Sequence, residues 1–158
     1  MTPLLSVIIP ARNEAQALPL LLADLAPLRA AGAELLLVDG GSSDASCELA
    51  VGRVDQLLSC PAGRARQMNA GAAVARGDYL WFVHADTRVS PQAVRCLLDA
   101  LGERPLWGRF DVRLSGRGLM FRLIGSLISL RSRITGIASG DQGIFVVRQT
   151  FEALGGYA

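Results

Sequence analysis

His84 and Asp86, one residue apart, stand directly behind an apolar run of strand length, Tyr79-Leu80-Trp81-Phe82-Val83. Open α/β sheets hold their ligands beyond the carboxyl ends of such strands, so an imidazole and a carboxylate there are placed to hold a metal ion or a phosphate. Asp86 is the stronger candidate, because a carboxylate is the natural ligand of a hard cation. Three further polar groups follow apolar runs or open a helix: Arg12-Asn13-Glu14, Asp39 with Asp44, and Arg64, Arg66, Gln67 and Asn69. Each also has a plain structural use. Glu14 favours a helix N-terminus, Asp39 can stabilise the Gly40-Gly41 turn and Asp44 can cap a helix. Arg64 and Arg66 can form a solvated helix face, and His84 can be a hydrogen-bonded loop histidine. What sets these residues apart is the prospect of convergence.

The elements that would bring them together are readable. Residues 4–9 are an apolar run ended by Pro10, hence a first buried strand, and Leu18, Leu21, Leu22 and Leu25 then recur at helical spacing, with Pro19 tolerated if the helix begins there. Residues 34–38 form a second strand, 45–51 a short helix capped by Ser43 or Asp44, and 54–58 a weak third strand. Residues 63–76 are Ala-rich and helical in propensity, with Gly77 placed to end the helix before the strand at 79–83. Ser90-Pro91 starts another helix, with Val94, Leu97, Leu98 and Leu101 as its apolar stripe. Residues 107–114 alternate as a half-buried strand does, 143–147 read as a last strand, and Phe151 with Leu154 begin a helix that Gly155-Gly156 cuts off. Strands alternating with helices imply a mostly parallel α/β sheet covered on both faces, and in such a sheet the loops after successive strands share one edge.

A chain of 158 residues is one domain's worth. Half its residues are apolar and its net charge of +2 is too near neutral for a dedicated nucleic-acid binder. All sixteen basic residues are arginine. Cys47, Cys60 and Cys96 are odd in number and widely spaced, as expected of small buried thiols in a reducing compartment rather than a disulfide or zinc framework. The first apolar run is too short for a signal or a membrane span, so the expected location is the cytoplasm. Residues 118–133 are apolar but interrupted by Arg122, Arg131 and Arg133, which fits a core or surface helix better than an interfacial helix in contact with lipid.

Four segments together resemble the family 2 glycosyltransferases of the GT-A fold: Ser6-Val7-Ile8-Ile9-Pro10-Ala11-Arg12-Asn13-Glu14, Leu37-Val38-Asp39-Gly40-Gly41-Ser42-Ser43-Asp44, Gly63-Arg64 with Asn69-Ala70-Gly71, and Gly77-Asp78-Tyr79 leading to His84-Ala85-Asp86. Residues 63–72 and 140–146 are further similar to a bacterial subgroup of radical-SAM/selenodomain-associated or arsenosugar-biosynthesis transferases. The resemblance implies a Rossmann-like, mostly parallel sheet and a nucleoside-diphosphate sugar as donor, UDP- or GDP-linked. It implies that Pro10, Arg12 and Glu14 line the base and ribose pocket, that Asp39 hydrogen-bonds the base with Asp44 nearby, and that Arg64 and Arg66, with Asn69, approach the nucleotide. His84-Ala85-Asp86 occupies the place of the family's D-x-D, in which Mn²⁺ or Mg²⁺ bridges carboxylate and diphosphate. The first acidic position is His84 here, which could contact the ribose or, as an imidazole, suit Mn²⁺ over Mg²⁺.

An inverting transferase needs a carboxylate to take the acceptor's proton. The resemblance places that base in an acidic pair after the Gly-Gly-aromatic segment, and this sequence ends at Gly155-Gly156-Tyr157-Ala158, so the expectation is a single domain cut short at its C-terminus. Asp141 is the alternative base. The acceptor is open and could be lipid-linked, with the protein peripheral to a membrane, and apolar surface left by a shortened chain would favour self-association. A binding module with the same fold and no turnover is the competing reading. A nucleotidyltransferase would show a Gly-rich phosphate loop after the first strand, and an NAD enzyme a G-x-G-x-x-G; Pro10-Ala11-Arg12-Asn13-Glu14 is neither.

Overall fold

The computed structural model describes residues 3–111 and 142–158. Its elements run β1 (Leu5–Ala11), α1 (Leu18–Ala30), β2 (Glu34–Asp39), α2 (Ser46–Ala50), β3 (Gln56–Ser59), α3 (Arg64–Val74), β4 (Tyr79–Phe82), α4 (Pro91–Gly102), β5 (Trp107–Gly108), β6 (Phe145–Val147) and α5 (Arg148–Ala153). They build one sheet in the order β3-β2-β1-β4-β6-β5. Strands β1 to β4 are mutually parallel, with Ala11 level with Asp39 and Ile8 level with Phe82. Strand β6 runs antiparallel between β4 and β5, which the sequence did not signal.

Both faces of the sheet are covered. Leu5, Val7, Ile9, Leu35, Leu37 and Trp81 pack with Leu18, Leu21 and Leu25 of α1 and Leu97 and Leu101 of α4. The alternate residues Ile8, Leu36, Val38, Leu80 and Phe82 pack with Met68 and Ala72 of α3 and with Phe151 and Tyr157. This period-2 division between two buried faces explains why β1, β2 and β4 read as continuous apolar runs. Edge strand β3 alternates between half-buried and exposed residues, hence its weak signal.

Several details differ from the sequence expectation: α2 is preceded by Ala45 with no side-chain cap from Ser43 or Asp44, β3 runs over Gln56–Ser59 rather than 54–58, and β6 starts at Phe145 rather than 143. Pro10 lies inside β1 rather than ending it. The Ile8 carbonyl accepts from Val83 N–H and the Ala11 carbonyl from Gly40 N–H, so Pro10 turns its missing donor toward the β4 side, beyond the last β4 pair. Gly77 does not end α3, whose cap is Ala75 in extended conformation. Its role is closeness: a Cβ there would stand 2.5 Å from the Ser6 backbone nitrogen. Leu98 is 40% exposed, off the buried stripe of α4, whereas the Ser90 cap is as expected and accepts from Ala93 N–H at 3.1 Å. Of the strand expected at 107–114, β5 covers Trp107–Gly108 only; 109–111 are outside regular strand, although Phe110 N–H donates to the Gln142 carbonyl, and 112–114 lie outside the described residues. The segment 118–133 and Asp141 lie outside the described residues. No helix among the described residues is long and apolar enough to cross a membrane.

A buried polar knot fixes the amino ends of the strands. Glu34, 3% exposed, accepts from Ser6 Oγ at 2.6 Å, Arg76 N–H at 2.9 Å and Arg76 Nε at 2.7 Å, while Ser6 Oγ accepts from Gly77 N–H. Burial would raise the Glu34 pKa, but the Ser6 and Arg76 hydrogen bonds outweigh it and hold the group below its ordinary 4.5.

A carboxylate so depressed stabilises the fold above its unfolded pKa and loses that contribution as pH falls through its folded one. Urea melts across the acid limb should therefore show stability declining below about pH 4.5, with a shallower decline for Glu34→Gln. Gly77→Ala should cost about 2 kcal/mol or more by overpacking against backbone. Gly102→Ala, where a Cβ meets nothing within 4 Å, should be neutral or stabilising by up to about 1 kcal/mol in the same melts.

Candidate functional site

In the order 3-2-1-4 the sheet winds outward from β1 in one direction to β2 and β3 and in the other to β4, so the parallel neighbours β1 and β4 form the topological switch point, and the loops after them leave the sheet at its carboxyl edge, where ligands bind in open α/β sheets. The loop after β1 carries Arg12 and Glu14, that after β2 carries Asp44, and that after β4 carries His84 and Asp86. Helix α3 brings Arg64 and Arg66 at its amino end.

The first two loops are laced to each other. Asn13, in left-handed conformation at φ 56°, donates its N–H to Ser42 Oγ at 2.9 Å and accepts from Ser43 N–H at 2.8 Å through its side-chain oxygen. Glu14 N–H donates to Ser46 Oγ and Ala15 N–H to Asp44 Oδ2. Asp44 also accepts from the Ser46 N–H and hydroxyl, and with the Ser46 hydroxyl bond foremost its pKa is held below the ordinary value. Asp44 is therefore a buckle between loops as well as a turn residue, Asn13 of the first polar group has a lacing role the sequence did not show, and Ser42 and Ser46 are site-forming residues that sequence reasoning passed over.

Asp39 ends β2 and is 6% exposed. Its carboxylate accepts from Gly41 N–H at 3.0 Å and Ser42 N–H at 3.1 Å, so it does stabilise the glycine turn. Burial alone would raise its pKa; hydrogen bonds from Ser42, Gly41 and Cys47 overcome this and keep it ionised below the usual value. The Cys47 thiol is pushed up by burial and by the Asp39 charge, which makes it a poor nucleophile and a steady hydrogen-bond donor.

Glu14 supplies the measure of convergence. Its pKa is raised, first by burial, then by the charges of Asp86 and Asp44, against a lowering by Arg64. Residues of the three other polar clusters, on two loops and a helix end, thus lie within electrostatic reach of this carboxyl group. Asp86 is exposed at the rim while His84, 8% exposed, stands beneath it and closes the turn by accepting Thr87 N–H at 3.0 Å on its carbonyl. Arg12 and Arg66 are exposed.

Two expected contact residues also have structural tasks. Pro10 is buried in β1. Asn69 donates from Nδ2 to the Tyr157 carbonyl and accepts Tyr157 N–H on Oδ1, both at 2.9 Å, so its amide seats the turn after α5. Its neighbour Gln67, 5% exposed, bridges the strand ends: Nε2 donates to the carbonyls of Ala11 and Val38, each at 2.8 Å. These bonds span 56 and 29 residues of sequence and leave no local pattern to read.

Among the described residues no three His, Cys, Asp or Glu side chains form a metal cage. A divalent ion at Asp86 would draw its remaining ligands from phosphate oxygens and water, the usual arrangement where one carboxylate meets a bound diphosphate, and the carboxylates gathered at the rim fit a cation. A wide cleft of about 800 Å³ lies at the opposite edge between Arg29, Glu34, Asp55, Arg76 and Arg148. There Arg29 faces Asp55, Arg76 faces Glu34 and Arg148 faces Glu152, so it presents balanced charge and no converging chemistry.

A profile of glycosyl transferase family 2 matches residues 6–154. The chain is similar to an undecaprenyl-phosphate 4-deoxy-4-formamido-L-arabinose transferase of Photorhabdus laumondii, 31% identical over 158 residues, with 87% of this chain and 46% of that protein aligned. A protein of the same name from Salmonella paratyphi A is 33% identical over 155 residues with the same coverage. The chain spans about half the length of the curated relatives it matches. Among solved structures it is similar to Staphylococcus aureus TarS 1–349 in complex with UDP-GlcNAc, with a TM-score of 0.76 at 20% identity over 97% of this chain and 48% of that one. It is similar also to glucosyl-3-phosphoglycerate synthase of Mycobacterium tuberculosis in complex with Mn²⁺, UDP and glucosyl-3-phosphoglycerate, with a TM-score of 0.65 at 22% identity over 92% of this chain and 57% of that one. The structural likeness establishes the GT-A fold, and the family profile covers nearly the whole sequence: this chain belongs to glycosyl transferase family 2.

Proposed function

We propose that this chain binds a nucleoside-diphosphate sugar, UDP- or GDP-linked, together with Mn²⁺ or Mg²⁺, and carries the donor side of an inverting sugar transfer. The observation that carries the reading is the electrostatic meeting of Asp86, Asp44 and Arg64 at Glu14. Asp39, held ionised and oriented by its turn, accepts from the base. Arg12 and Glu14 flank base and ribose above the end of β1, and Arg64, with Arg66, pairs with the diphosphate. Asp86, with His84 behind it, holds the cation. When bound, the ion neutralises charge that develops on the departing nucleoside diphosphate. The similarity of residues 63–72 and 140–146 to the radical-SAM/selenodomain-associated subgroup belongs to the same proposal.

The names of the curated relatives point to a polyprenyl phosphate as acceptor, with the protein peripheral to the cytoplasmic face of a membrane. Such an acceptor attacks through a phosphate oxygen already largely ionised at neutral pH. The demand for a protein base, from Asp141 or from an acidic pair beyond Ala158, is then far weaker than for a sugar hydroxyl.

Calorimetric titration with UDP and GDP should show tighter binding of one of them with Mn²⁺ than without. Asp86→Asn should lose about tenfold of that affinity in the metal-bound series alone, and Asp39→Asn should weaken the preferred nucleotide with or without metal. Equal affinity with and without Mn²⁺ in the parent chain would instead favour a binding module without turnover. In transfer assays, where Asp141 rather than the expected acidic pair is the base, Asp141→Asn should leave the rate to a polyprenyl phosphate within a few-fold, while lowering it about 100-fold or more for a hydroxyl acceptor. A comparable loss with both acceptors would count against the phosphate reading.

A further inference from the structure

The loop that carries Asp86 is held from outside the site. Asp24, on α1 and with its side chain only 16% exposed, accepts from Arg88 Nε at 2.7 Å and from Arg88 Nη2 at 3.0 Å. Its Oδ2 also accepts Val89 N–H at 3.0 Å. Upstream, the loop is fixed where Val83 N–H donates to the Ile8 carbonyl; downstream, Val89 is buried in the core and Ser90 caps α4. Between these anchors Asp86 is exposed, and the tether from Asp24 arrives two residues after it.

Helix α1 directly follows the loop of Arg12 and Glu14. The pair therefore connects the two walls of the crevice between β1 and β4, using the helix that continues from one wall to fix the other. A bidentate carboxylate–guanidinium pair sets orientation as well as distance, because both groups are planar and their bonds run parallel. Exposed ion pairs contribute little to global stability. The consequence of this one lies in where it sits.

We propose that Asp24 and Arg88 are positioning residues for the metal site, fixing the 84–89 loop so that the Asp86 carboxylate is presented to a divalent cation facing the Arg12–Glu14 loop. The inference rests on the nucleotide-and-metal reading given above. Asp24→Asn keeps an oxygen for Val89 N–H but loses the charge and one of the two acceptors that face Arg88. Arg88→Lys keeps the charge but lacks the fork. Glu152→Gln breaks another exposed arginine–carboxylate pair, on α5, and serves as control.

The test is made on the whole chain with two readouts: the Mn²⁺ concentration that half-saturates the gain in UDP or GDP affinity, and amide hydrogen exchange across 84–89. Asp24→Asn and Arg88→Lys should each raise the half-saturating Mn²⁺ about tenfold and speed exchange in that segment. Metal-free nucleotide affinity and the thermal midpoint should hold, and Glu152→Gln should move neither readout. Unchanged exchange overturns the proposal, and so does faster exchange with an unchanged Mn²⁺ requirement. A parent chain with no metal-linked affinity removes the underlying reading instead; the exchange comparison then still supports the tether if the loop loosens, and overturns it if the loop does not.

Discussion

Parallel pairing of β1 with both β2 and β4 is the constraint from which the site follows. Parallel neighbours end at the same edge, so once Ala11 is level with Asp39 and Ile8 with Phe82, the three loops that follow have no other place to emerge. The strands are held in that register by burial on two faces, since a one-residue slip would exchange every side chain between the α1/α4 face and the α3 face. Packing thus sets the edge at which the carboxylates and arginines of the rim emerge, and the polar contacts between loops refine their positions there. The knot at Glu34, Ser6, Arg76 and Gly77 reinforces the register from the opposite end.

Gathering acidic groups on one rim has an electrostatic cost, and the structure distributes it unequally. Asp39 and Glu14 are shifted in opposite directions. Asp39 sits among N–H and side-chain donors that favour its charged form, so it is ionised and held in one orientation before any ligand arrives. Glu14 is partly buried opposite Asp86 and Asp44 with Arg64 as the countervailing charge, and its carboxyl resists ionisation. The lacing of the 12–15 loop to the 42–46 loop keeps these groups from relaxing apart, since Asn13, Ser42, Asp44 and Ser46 tie backbone to side chain across the gap. A rim so held has its carboxylates and loops fixed in place by the fold itself.

The alternation of strand and helix, the ends of β1, β2 and β4, and the polar groups after them were legible because buried parallel strands appear as unbroken apolar runs that stop where the backbone leaves the sheet. Pro10 misled because proline is ordinarily punctuation, and only the side toward which its missing N–H points makes it harmless here. Strand β6 was found but not its antiparallel sense, which depends on a partner about 66 residues away in sequence. Gln67, Asn69 and the Asp24–Arg88 pair were opaque for one shared reason: each acts on residues from 29 to 88 positions distant, and one sequence shows neither end pointing at the other. Asn69 commits both ends of its amide to Tyr157, a structural task that the motif alone did not show.

Helix α3 joins these lines. Its sequence is rich in alanine and carries one glycine, and a Cβ on that Gly71 would stand 2.6 Å from Ile8 Cγ2 and 3.1 Å from Val38 Cγ2, so the helix lies as close to the sheet as backbone and side chains permit. Small residues are needed there because the helix must come near enough for Gln67 to reach the Ala11 and Val38 carbonyls between the strands. From Gly71 to Arg64 is seven residues, roughly 10 Å of helix, which carries the first turn from the middle of the sheet to its carboxyl edge. The same closeness that completes one half of the core therefore delivers Arg64 to the rim beside Glu14. Close packing and positive charge at the site are two outcomes of one choice of residue size, and a bulkier helix would forfeit both together.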